Sequence, residues 1–163
     1  MAGVLYHLPS ILPFVAPLPI SYDRLQPTTW GAYLLWGNEN RNAPIRASSP
    51  PGTPGGLVSN FELKSFDGCA NPYLGLAATI AAGIDGLRRH ISLPEPVDTD
   101  PNIDNLQRLP KSLSESLEAL HKAEFLEEFI GDKLLTAIKA VQKGEMGYYL
   151  ENKDAYKQLI HRY

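Results

Sequence analysis

Apolar positions divide this chain into two regimes. Residues 1–66 hold short apolar runs punctuated by proline and glycine, and residues 70–163 hold longer runs at helical spacing. Met1 to Ile20 is apolar and contains Pro9, Pro13, Pro17 and Pro19. Those prolines argue against a membrane-spanning helix and predict a short helix followed by an extended apolar stretch. Tyr33 to Trp36, bounded by Gly31 and Gly37, predicts a strand. Ala43 to Ala47 predicts a second, brief one. The stretch SSPPGTPGG, Ser48 to Gly56, reads as a loop. In Leu57 to Phe66, Phe61 and Leu63 alternate with Asn60, Glu62 and Lys64. Period two makes this the strongest strand, with the three polar residues on one face.

The second regime opens on Asn71-Pro72, a cap followed by proline at the first helical position, where its missing N–H costs nothing. Tyr73 to His90 is apolar around most of its circumference, which predicts a buried helix. Arg88, Arg89 and His90 suit the C-terminal end of its dipole. After a Pro/Asp loop at Leu93 to Asn105, Ser112 and Glu115 form a capping box for a helix to His121. Phe125 to Ile130 predicts a helical segment ending at Gly131. Asp132 is expected to cap a helix from Lys133 to about Gly144, and Asn152 to His161 a last short one.

Composition changes this picture little. The 163 residues are 44% hydrophobic and 20% charged, with net charge −3, ordinary for one soluble domain and without the basic excess of a nucleic-acid binder. The one cysteine, Cys69, makes neither an internal disulfide nor a thiolate cage, and suits a reducing, cytoplasmic compartment. No Lys or Arg precedes Arg24, so the apolar start lacks the basic n-region of a signal peptide and reads as internal sequence of a larger domain.

Three polar clusters remain as candidate chemistry: Ser21 to Leu25, Asn40-Arg41 with Arg46, and Glu62 with Lys64. Guanidinium forks at Arg24, Arg41 and Arg46 suit phosphate and carboxylate groups. Glu62 supplies a hard oxygen of the kind Mg²⁺ or Mn²⁺ prefers. Several arginines with a carboxylate form the inventory for phosphoryl transfer onto a carboxylate. The chain has no GxxxxGK[ST] loop, GxSxG elbow or HExxH helix. His7, His90, His121 and His161 stand at no metal-ligand spacing. His7, nearest the polar clusters, reads first as a satisfied imidazole.

In these residues the chain resembles a known family. SYDRLQP, WGNENRNAPIR, NFELKSFDGCANPYLGLAATIAAGIDGL and LPKSLSESLEAL resemble, in order, the C-terminal part of type I glutamine synthetases, in detail the nodulin/glutamate–ammonia ligase-like branch of plants and fungi. The resemblance implies an α+β fold, short antiparallel strands followed by a mostly helical C-terminal half. Residues 1–163 would then be a partial catalytic domain, with the site residues in 1–66 and the helical part in 67–163. It implies ATP-dependent joining of ammonia to glutamate through a γ-glutamyl phosphate, in glutamine biosynthesis, with Mg²⁺ or Mn²⁺. By the same resemblance, Arg24 matches an arginine near the transferred phosphate and Arg41, after Asn40, the glutamate-binding arginine. Arg46 matches an arginine on the ATP phosphates and Glu62 a metal-ligand glutamate. The family's sites form between subunits of a homo-oligomeric ring.

Three positions depart from the family pattern. The acid–x–Arg strand reads Glu62-Leu63-Lys64 here, and lysine cannot clamp a carboxylate bidentately. Trp30 stands where a flap glutamate is expected, so another amine or another γ-glutamyl chemistry becomes plausible. Asn60 replaces a common arginine. The family's small N-terminal β domain, its E-x-E metal ligands and its second-site histidine all precede the matched segment. The resemblance therefore implies a ligase part that is inactive alone and needs the N-terminal part of the domain. The alternative is a non-catalytic binding or regulatory module. The strands 33–66 are expected to leave open edges, making the chain prone to aggregation.

Overall fold

A computed structural model describes residues 1–27, 31–54, 57–97, 106–152, 154–155 and 157. It is an α+β fold in which the first helix, α1 (Ala2–Val15), lies between α2 (Pro72–Arg88) and α3 (Leu113–His121). Helices α4 (Phe125–Ile130) and α5 (Asp132–Glu151) complete the helical side. Val4, Leu5, Leu8, Ile11, Leu12 and Val15 form the centre of the core, against Ala78, Ala81 and Ala82 of α2 and Leu113, Leu117 and Leu120 of α3. Thus α1, from the proline-punctuated first stretch, is packed among the helices of the second.

Helix α1 continues through Pro9 and Pro13. Each removes an N–H, from the carbonyls of Leu5 and Pro9, and burial on two sides holds the helix despite both losses. The Pro13 carbonyl has no donor four residues on, because residue 17 is also proline. The Gln142 Nε2 of α5 donates to it instead. The extended stretch expected after the helix is short, since Pro19–Arg24 forms a 3₁₀ turn. There the buried Tyr22 phenol pairs with Ser116 Oγ at 2.5 Å, and burial pushes it well above the ordinary tyrosine range.

The strands β1 (Trp36–Asn38), β2 (Ile45–Ser48) and β3 (Asn60–Leu63) form one sheet in that order. The antiparallel arrangement expected throughout holds for β2 and β3, while β1 and β2 are parallel. The Tyr33–Trp36 run enters the sheet only at Trp36. Before it, Leu34 N–H donates to Gln107 O, and Tyr33 bridges Arg108. The strand expected over 57–66 is likewise confined to Asn60–Leu63. One edge is covered: Val97 N–H donates to Trp36 O, and Trp36 Nε1 to Pro94 O. The β3 edge, with Asn60, Phe61 and Glu62 exposed, is the open one.

Asn71 caps α2 as expected, its Oδ1 accepting from Tyr73 N–H at 3.0 Å and Leu74 N–H at 3.2 Å. Asn71→Ala should cost about 1 kcal/mol, read by denaturant unfolding. The helix is not buried all round. Gly75, Ala78, Ala81, Ala82 and Gly86 face the core, whereas Tyr73 (83% exposed), Leu76, Ile80 and Leu87 (76% exposed) form a bare apolar stripe. The capping box at α3 holds in a shifted form. Ser112 Oγ accepts from Glu115 N–H, but the Glu115 carboxylate returns to Lys111 N–H. Helix α5 starts one residue earlier than expected, with Gly131 at φ 84° as its N-cap, and runs through Gly144 to Glu151. Asp132 is its first helical residue, not its cap. The short helix expected over 152–161 lies largely outside the described residues. No described helix is long and apolar enough to cross a membrane.

Candidate functional site

The turn after β1 organises the charged face of the sheet. Glu39 stands at φ 52°, the left-handed region, between β1 and β2. Its Oε2 takes Arg46 Nη2 at 2.9 Å and Nε at 3.2 Å, and its Oε1 takes Ser49 N–H at 2.8 Å and Ser48 Oγ at 3.0 Å. The bonds from Ser49 and Ser48, with a lesser one from Arg46, hold its carboxyl below the usual range against desolvation. Arg46 sits opposite Glu62 in the β2–β3 register, with Nη1 3.4 Å from Glu62 Oε2. Three of the five guanidinium N–H groups are therefore taken, leaving one each on Nη1 and Nη2.

Lys64, just beyond β3, donates from Nζ to the Arg41 carbonyl. Burial lowers its pKa first. Glu62 opposes that shift, and Arg46 and Arg41 add to it. The structure thus gathers Arg41, Arg46, Glu62 and Lys64 on one side of the sheet, as the alternation of β3 implied for Glu62 and Lys64. Asn40 is turned inward and buried. Its Oδ1 accepts from Asn42 N–H at 2.9 Å, and its Nδ2 donates to Val97 O. The carboxamide is spent on the turn that presents Arg41.

Arg24 occupies a second cluster. At the end of the 3₁₀ turn its Nη2 stands 3.6 Å from Asp67 Oδ2. Asp67 also accepts from Ser21 Oγ and, at 2.8 Å, from Cys69 N–H, while its own N–H donates to Val15 O. One aspartate therefore ties the end of α1, the 3₁₀ turn and the approach to α2. Cys69 lies in this cluster, and burial, then Asp67, push its thiol above the ordinary value against Arg24. That opposes thiolate chemistry.

Sequence reasoning missed Glu39 and Asp67, since neither a left-handed turn glutamate nor a loop aspartate has a spacing that marks it. It also missed Asp85, the partner of His7. His7 is buried, 2.6 Å from Asp85 Oδ2 and stacked on Phe125 at 3.9 Å. Burial lowers the imidazole despite Asp85. Burial raises Asp85, but bonds from His7 and Arg89 outweigh it and hold the carboxyl low. This is a satisfied core pair, the bland role expected of His7. Trp30 lies outside the described residues.

The described residues contain no group of three or more His, Cys, Asp or Glu placed to hold a metal ion. Glu39 and Glu62 are the two carboxylates of the charged face, and both are engaged by Arg46. These residues alone do not fit a complete Mg²⁺ or Mn²⁺ site, which needs several oxygens or phosphates in place of water.

Comparison with known proteins gives these residues a context. A family model described as "Glutamine synthetase, catalytic domain" matches residues 1–160. The chain is 42% identical over 158 residues to gamma-glutamylpolyamine synthetase GlnA3 of Streptomyces coelicolor, covering 90% of this chain and 34% of that protein. It is 34% identical over 147 residues to type-1 glutamine synthetase 1 of Dictyostelium discoideum, covering 89% and 30%. Among solved structures it matches a novel glutamine synthase homolog with TM-score 0.73 at 32% identity, covering 91% of this chain and 34% of that one. It matches a GmaS/ADP complex with TM-score 0.76 at 27% identity, covering 92% and 35%. The chain spans about a third of the length of these relatives.

Proposed function

This chain belongs to the glutamine synthetase family, and from that premise we propose that it supplies the phosphate- and carboxylate-holding side of an ATP-dependent γ-glutamyl ligase. The observation that carries this reading is the gathering of Arg41, Arg46, Glu62 and Lys64 on one side of the sheet, braced by Glu39. In the proposed reaction the γ-carboxylate of glutamate attacks the γ-phosphorus of ATP, and ADP leaves. Ammonia or another amine then attacks the acyl carbon, and phosphate leaves. Arg46 grips the nucleotide phosphates with its two remaining N–H groups, and Arg24 stands by the transferred phosphoryl group. Arg41 and Lys64 hold the glutamate carboxylate, and Asn40 fixes the turn that presents Arg41. A resident divalent metal would supply charge neutralisation at the phosphates. Among the described residues of the charged face Glu62 is its candidate ligand, and further oxygens must complete the site. We therefore assign complete activity to an assembly with the remainder of the catalytic domain, in a homo-oligomeric ring.

A second reading, a non-catalytic binding or regulatory module, draws on the pairing of Arg46 with two carboxylates and on lysine in place of arginine at Lys64. One experiment separates the two. ATP binding by calorimetry and phosphate release dependent on glutamate, amine and Mg²⁺ would be measured on the 163-residue chain. They would be measured again after adding the upstream part of a relative's catalytic domain. We expect ATP binding without turnover by the chain alone, and turnover on reconstitution. Turnover by the chain alone would refute the assignment of incompleteness. Absence of ATP binding under both conditions would refute the phosphate-holding role.

A further inference from the structure

A groove of about 480 Å³ opens between α5, the start of α2 and the Pro17–Leu18 turn, away from the charged sheet face. That size suits a small organic molecule. Leu18, Leu74, Ile138 and Val141 make most of it apolar, and its described lining includes no Lys or Arg. Two acceptors stand along one face of α5, three residues apart. Gln142 is only 6% exposed, and its Oε1 has no hydrogen-bond partner. The amide cannot be turned to change this. Its Nε2 is committed to the Pro13 carbonyl, which residue 17, a proline, cannot serve. The other acceptor is Glu145, with no hydrogen bond or ion pair among the described residues. Glu145 itself is exposed, and partial desolvation raises its pKa. The buried amide oxygen lacks a donor, and Glu145, on the same helix face of the groove, offers a carboxylate to a cation beside it.

We propose that this groove binds a small alkylammonium ion, its hydrocarbon body against Leu18, Leu74, Ile138 and Val141 and its charged head between Gln142 and Glu145. An alkylammonium supplies what the lining lacks: N–H donors with positive charge on an apolar stem. A carboxylate ligand would meet Glu145 with like charge, and a neutral alcohol would satisfy one acceptor without pairing the charge. The site does not depend on the ligase reading, because none of the residues assigned to nucleotide or glutamate lines the groove.

The test is calorimetric titration of the full 163-residue chain with n-pentylamine, 1-pentanol and pentanoate at about pH 8, where the amine is charged and the carboxyl ionised. The amine should bind at least about tenfold more tightly than the alcohol, and pentanoate should not compete. Glu145→Gln should weaken the amine about twofold to fivefold and leave the alcohol unchanged. Val141→Trp, at a position 60% exposed and therefore safe for folding, should fill the groove and remove both. Amine binding should also weaken on acidification through the raised Glu145 pKa. Pentanoate binding as tightly as the amine, or amine affinity unchanged in Glu145→Gln, would overturn the proposal. So would self-association of the chain that Glu145→Gln abolishes, since the cation would then be a side chain of a second copy.

Discussion

Gly86→Ala should destabilise the chain by about 3 kcal/mol, lowering its melting temperature by roughly 6–12 °C. Helices α1 and α2 touch backbone to backbone at Gly3 and Gly86, where a Cβ on Gly3 would stand 2.7 Å from Gly86 Cα. A Cβ on Gly86 would likewise run into Gly3 Cα and N. Both obstacles are main chain, so no rotamer change relieves them, and α1 must lift from the core it centres. Helix propensity pulls the other way, because alanine is favoured over glycine by about 1 kcal/mol in a helix interior. The steric term should win at Gly86 and be absent at Gly144, where a Cβ meets nothing within 4 Å. Gly144→Ala should therefore raise stability by up to about 1 kcal/mol. Denaturant unfolding of the two variants reads the contrast directly. Equal effects at both positions would mean that the α1–α2 contact is not backbone-limited.

Arg46→Ala should weaken ATP binding at least about a hundredfold, and reduce ligase turnover in a reconstituted enzyme by a similar factor. It removes the two remaining guanidinium N–H groups and leaves Glu39 and Glu62 without their guanidinium partner beside the phosphates. Stability should hardly change, because both ion pairs are solvent-exposed and such pairs contribute about 0–1 kcal/mol. Arg46→Lys should restore the charge and only part of the affinity, since an ammonium cannot hold Glu39 and a phosphate with fixed forks. Glu39→Gln is the sharper control. It keeps the shape of the turn but loosens Arg46, so ATP affinity should fall by less than in Arg46→Ala. The comparison is made by calorimetry together with a thermal melt. A large loss of stability in Arg46→Ala would assign the residue to the fold instead of to phosphate.

Several features of this protein were determined by the sequence itself. The Asn71-Pro72 cap, the Ser112 start of α3 and the Gly131 boundary depend on neighbours a few residues away, so local chemistry suffices to place them. The alternation in β3 likewise put Glu62 and Lys64 on one face before any partner strand was known. The ordered motifs carried the family, because they hold residue types at spacings that the whole fold constrains.

What the tertiary structure alone decided involves contacts far apart in sequence. A short helix was expected at the start of the chain, but that it runs unbroken through Pro9 and Pro13 is decided by α2 and α3, which bury it, and by Gln142, 129 residues from Pro13, which caps its end. The apolar run of α2 marked a buried helix, but periodicity does not say how many neighbours a helix has, and one stripe remains bare. Among the candidate site residues, Arg46 needed the β2–β3 register to meet Glu62, and a left-handed Glu39 to be gripped from the other side. Asn40 was recognisable as a polar motif residue, while its commitment to Asn42 and Val97 was not. Charge and residue type are written along the chain. Which charges face one another is set by the packing that brings distant segments together.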